Sequence, residues 1–159
     1  MRKRLFVSIA AVISATMIVS GCGKNSEHTE HAANGDLRET TTSLAKLPSF
    51  LDPLSPSIKT AYSVAASVSD VLPSIPCYCG CGESAGHKHN LNCFIYEIKQ
   101  DGRVVWDDHG TRCGVCMDTA MKTAAMKEEG KTTLQIRNAI DEMYKEGYAA
   151  PTPTPMPVS

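Results

Sequence analysis

Six cysteines and three histidines of this chain stand close enough in sequence to share one piece of chemistry. The cysteines run Cys77-Tyr78-Cys79-Gly80-Cys81, then Cys93, then Cys113-Gly114-Val115-Cys116, and His87, His89 and His109 fall in the same window. Thiolates are soft ligands that select Cu(I) and Zn(II), among others. The two-residue gap between Cys113 and Cys116 is the one usual in zinc sites. The triplet supplies more sulfur than one tetrahedral zinc takes, so two ions or a small cluster also fit. Because Cu(I) accepts two or three sulfurs, the pattern leans towards copper. His87 and His109 are candidate ligands beside all six cysteines, and His89 ranks below them.

Two other chemistries use the same residues. Disulfides inside the triplet would close strained rings, since disulfide geometry is specific. Each triplet cysteine would then need a partner among Cys93, Cys113 and Cys116, which the even count permits. A thiol–disulfide exchange site would use Cys113 and Cys116 at a helix start, where a lowered pKa favours thiolate. No thioredoxin-like strand–helix–strand pattern surrounds that pair. A c-type haem is disfavoured, because Met117 and not histidine follows Cys116. An oxidising exterior disfavours an iron–sulfur cluster. Met117, Met121 and Met126 read as core fillers.

The seventh cysteine carries a different message. Arg2, Lys3 and Arg4 precede an apolar stretch from Leu5 to Val19, too short to span a bilayer comfortably. The stretch ends in Ser20-Gly21-Cys22, which resembles the lipobox of bacterial lipoproteins. That reading makes residues 1–21 a signal peptide and Cys22 the acylated N-terminus. The mature chain is then held at the extracytoplasmic face of the cell membrane. Residues 22–42 read as a polar tether, 43–148 as the Cys-rich globular domain and 149–159 as a Pro-rich tail.

These elements must position the thiols. Ser55-Pro56 opens a helix whose apolar face is Ile58, Ala61, Tyr62, Ala65, Val68 and Leu72. Gly80 and Gly82 let the triplet loop curl and aim its sulfurs at one point. Residues 93–98 and 104–106 form a hairpin about Asp101-Gly102. A helix begins near Thr111, with Cys113 and Cys116 on one face of its first turn. The last helix starts at Thr132 with Gln135 in a capping box and stops near Gly147. The fold class is therefore mainly α (α+β): one small domain of about four helices, a short β-hairpin and a Cys-rich loop.

Composition excludes several roles. Removing residues 1–21 leaves 13 − 17 = −4 formal charges and no basic run, so there is no footprint for nucleic acid. No nucleophile elbow or phosphate loop suggests an enzyme. The expected partners are the membrane, through the lipid, and a membrane metal transporter or metalloenzyme.

Pro76-Cys77-Tyr78-Cys79-Gly80-Cys81, with Gly86-His87, Cys93-Phe94, Trp106-Asp107, His109, Cys113 and Cys116, resembles the family of bacterial lipoproteins named for its PCYCGC motif. The resemblance runs from about residue 36 to 148. It implies a location and a motif, but no mechanism, since the family's function is unknown.

Overall fold

The computed structural model describes residues 28–158. Cys22 and the apolar leader lie outside the described residues. Four antiparallel strands, β1 (His28–His31), β2 (Leu37–Thr41), β3 (Ile95–Ile98) and β4 (Val104–Asp107), form one sheet in the order β1-β2-β4-β3. Four helices accompany it: α1 (Pro56–Ser67), α2 (Gly82–Ala85), α3 (Gly114–Glu128) and α4 (Thr133–Met143). The small α+β class is thus as expected, and so is the hairpin of β3 and β4. The Thr132–Gln135 capping box is fully formed at α4. Among the described residues no helix is long and apolar enough to cross a membrane.

The stretch read as a tether is largely part of the sheet. Residues 28–41 supply β1 and β2, and β2 pairs with β4 in register Glu39 to Trp106. Hydropathy hides this because the buried positions are polar. The Glu39 carboxylate accepts from the Ser49 and Phe50 backbone N–H groups and from the Ser49 hydroxyl. The Thr41 hydroxyl accepts from Trp106 Nε1 at 2.7 Å. Satisfied in this way, such side chains are buried at little net cost.

α1 and α3 pack on each other beside the sheet. Tyr62 of α1 is fully buried, edge-on to Phe94, and its hydroxyl donates to the Asp107 carbonyl at 2.7 Å. That bond ties the helix layer to β4. Gly110 fills the tightest place in this junction. A Cβ there would lie 2.7 Å from the Cys93 carbonyl oxygen and 2.9 Å from the Phe94 ring. Gly110→Ala should therefore cost about 1–3 kcal/mol by overpacking. A thermal melt should show a drop of roughly 3–10 °C, and an unchanged melt would mean the junction relaxes freely.

The Pro-rich tail also belongs to the fold. Thr152 N–H donates to the Cys77 carbonyl at 3.1 Å, and Cys77 N–H donates to Thr152 Oγ1 at 2.9 Å. Thr154 is buried and donates to the Lys88 carbonyl at 2.7 Å. Arg137 of α4 donates to the Thr154 and Pro155 carbonyls. Proline removes backbone donors, so the contacts fall on threonine hydroxyls and free carbonyls.

Candidate metal centre

The triplet loop reaches the helix start by way of the turn that precedes β3. Gly80 has φ of +80°, a left-handed conformation that glycine adopts without strain. Cys77 is buried, while Cys79 and Cys81 are half-buried. Cys93 ends a 3-10 turn (Asn90–Cys93) that runs into β3. Cys113 caps α3, its sulfur accepting from the Cys116 N–H at 3.4 Å. Cys116 lies fully buried in the first turn.

Sulfurs from all three segments converge. Cys77 Sγ lies 3.0 Å from Cys79 Sγ, 3.6 Å from Cys93 Sγ and 3.7 Å from Cys116 Sγ. Cys116 Sγ donates to Cys93 Sγ at 2.9 Å. Cys113 also acts on Cys79, lowering its pKa. All six thiols are free. Cys81 stands apart from this knot. Its sulfur is paired with the Cys79 carbonyl at 3.9 Å, and it groups with Cys79 and His109 within 4.8 Å.

Protons are shared unevenly across the knot. The hydrogen bond from Cys116 brings Cys77 down to about 5. Bonds from Cys113, then Cys116, hold the Cys79 thiol well below its ordinary range. The donors pay the complementary shift. Cys116 is pushed up by its bonds to Cys113, Cys77 and Cys79. Burial raises Cys81 to about 12. The hydrogen bonds thus favour thiolate in the loop, at Cys77 and Cys79. At the helix start, where the sequence predicts a lowered pKa, the sulfur bonds to Cys116 act in the opposite sense and raise it.

The histidines divide. His87 is 6 % exposed, its Nδ1 lies 3.6 Å from Cys93 Sγ, and its Nε2 is buried with no partner. His109 is half-buried; Cys79, then Asp36, raise its pKa. His109 Nδ1 lies 3.2 Å from both Asp36 oxygens. His89 is not among the grouped candidate ligands, and burial lowers its pKa. Asp36 escaped the sequence reading, which placed it in a tether. The one available signal was the Asn34-Gly35-Asp36 turn, where Asp36 N–H donates to Asn34 Oδ1. Asp107 caps the 3-10 turn at 108–112 by accepting from the His109 N–H, and Asp108 accepts from the Leu37 N–H of β2.

A cavity of about 580 Å3 lies between the triplet loop and the tail, lined by Cys77, Gly80, Gly82, His87, Pro151 and Thr152 among others. The tail thus roofs the sulfur knot. Truncation after Ala150 removes three hydrogen bonds to Cys77 and Lys88, worth about 3 kcal/mol together. The truncated protein should melt lower, and Cys77 should alkylate severalfold faster. Equal alkylation rates would show that the roof does not shield the site.

No curated protein and no solved structure matches the chain. A family model matches residues 10–157, spanning the strands, the sulfur knot and the tail. The chain belongs to the family described as proteins of unknown function with the PCYCGC motif.

Proposed function

We propose that this chain is a lipid-anchored extracytoplasmic protein that holds a soft metal ion or small cluster, Cu(I) or Zn(II), for sequestration, sensing or transfer. The ligands are Cys77, Cys79, Cys93, Cys113 and Cys116, with Cys81, His87 and His109 at the rim. One observation carries this reading: the Cys77 sulfur has three sulfur neighbours within 3.7 Å. A disulfide framework gives each sulfur one partner, whereas a metal gathers several around one point. Sulfurs on a tetrahedral zinc, at about 2.3 Å each, stand roughly 3.8 Å apart. The 3.6 and 3.7 Å separations match that spacing. His87 Nδ1, 3.6 Å from Cys93 Sγ, adds a nitrogen beside the sulfurs.

The disulfide reading can draw on Cys77 beside Cys93 or Cys116, at 3.6 and 3.7 Å. The closer approach is that of the two outside cysteines, Cys93 and Cys116, at 2.9 Å, and it competes for the same sulfurs. It pairs two residues outside the triplet and leaves the triplet without its required partners. Anaerobic titration of the reduced protein with Cu(I) or Zn(II), against a competing chelator, separates the two readings. Tight binding supports the metal site. Six thiols that react independently and take up no metal oppose it.

The anchor has its own support in the residues before Cys22. Because β1 begins at His28, only six residue steps separate it from Cys22, a reach of at most about 20 Å. The domain would therefore ride close to the bilayer, suited to exchange with a membrane metal transporter or metalloenzyme. Cys22→Ala should abolish acylation and leave an unprocessed precursor. Normal lipid labelling of that variant would contradict the anchor.

A further inference from the structure

The sulfur knot does not account for Asp36. This carboxyl is buried at 3 % exposure, on the residue just before β2 and in the sequence neighbourhood of no cysteine. One donor atom from each of Asp36, His87 and His109 lies within 4.8 Å of the other two. The two imidazole rings meet edge to face, with centroids 4.5 Å apart. His87 directs Nδ1 at Cys93, which leaves its buried, unpartnered Nε2 for something on the other side of the ring. A buried polar atom without a partner is costly unless a ligand binds it.

There is also a way in. A second cavity, of about 280 Å3, is lined by Asn34, Asp36, Ser84, Ala85, His109 and Arg112. Asp36 and His109 both face it, and no tail residue lines it. Arg112 donates to Asp36 and stands in that path, but its side chain is half exposed. It also pairs with Asp108 at 2.6 Å. An incoming cation can replace it at Asp36 while Arg112 keeps its second partner.

We propose that Asp36, His87 and His109 form a second cation site, of nitrogen and oxygen donors, which takes a borderline divalent ion such as Zn(II) beside the thiolates. Imidazole suits zinc, and a carboxylate is harder than any sulfur of the knot, so the donor set discriminates against Cu(I). His109 connects the two sites, since a nitrogen of its ring lies within 4.8 Å of the Cys79 and Cys81 sulfurs. Calling this site the second rests on the thiolate reading, but its own donors do not include sulfur.

The test keeps the two sites apart. The full chain, purified in detergent under anaerobic conditions, is first titrated with Ag(I), a redox-inert soft ion that fills the thiolates. Co(II) is then added and followed by its visible absorption. One equivalent should bind, with ligand-field bands and no thiolate-to-cobalt charge transfer. Asp36→Asn should weaken Co(II) binding by at least about tenfold, taking the lower end of the effect of losing a metal-site partner, and leave Ag(I) uptake unchanged. His87→Gln should weaken Co(II) similarly, and circular dichroism of both apo variants checks folding. If a variant misfolds, the charge-transfer region of the unmodified protein still decides. No Co(II) uptake after Ag(I) saturation, or uptake with strong charge transfer, overturns the proposal. Failure to take up Ag(I) refutes the thiolate reading instead, and sulfur-free Co(II) binding would still establish the second site.

Discussion

Removing the metal from the loaded, reduced protein should lower its melting temperature by about 10–20 °C. The ligands come from the loop at 77–81, the turn at 90–93 and the start of α3. An ion that joins them binds the folded chain and has no preformed site in the unfolded one. At a free metal concentration a thousandfold above Kd, mass action contributes about 4 kcal/mol. For a domain of this size each kcal/mol moves the melt by roughly 3–5 °C. The fold should survive the loss. Tyr62, Phe94, Trp106, Leu72, Ile136 and Ile140 are fully buried and give the core, which Cys77, Cys93 and Cys116 share, a large apolar area of its own. A chelator that leaves the melt of metal-loaded protein unchanged would mean that no ion bridges these segments.

Cys79→Ser should weaken Cu(I) or Zn(II) binding by about 100-fold or more, at or beyond the upper end of what outer-sphere partners contribute. The Cys79 thiol is held well below its ordinary range by Cys113 and then Cys116, which favours thiolate. It also accepts from the Cys81 N–H at 3.3 Å, which fixes its direction. A serine hydroxyl is hard and stays protonated, so it replaces neither the softness nor the charge. The change should expose no new reactive thiol. Under a disulfide framework the same substitution would orphan one partner among Cys93, Cys113 and Cys116. Alkylation with mass mapping of the oxidised protein distinguishes these outcomes, and a single orphan thiol would overturn the metal reading.

What could be read from the sequence was what local patterns encode. Asp101-Gly102 between β-branched runs marked the hairpin, Thr132 with Gln135 marked the start of α4, and Ser55-Pro56 marked α1. The triplet and its glycines marked the curled loop. The misses share one physical cause. At β2 the buried residues are Glu39, Thr40 and Thr41, paired to backbone, hydroxyl and indole groups that hydropathy does not register. The tail is bound through Thr152 and Thr154, in a stretch whose prolines read as unstructured. Asp36 was lost with the strand that follows it. α2 is a four-residue turn inside what looked like a plain loop. Which thiol keeps its proton depends on donors 16 to 39 residues away along the chain, and no local motif records that.

Native mass spectrometry of the full chain, purified anaerobically in detergent and paired with free-thiol counting, tests the central claim most directly. The predicted result is at least one copper or zinc ion retained per chain. The Cys77–Cys116 thiols should then be unreactive to alkylation until the ion is removed, and reactive as free thiols afterwards. A metal-free mass lighter by two hydrogens for each cysteine pair, with thiols appearing only after reduction, would contradict it.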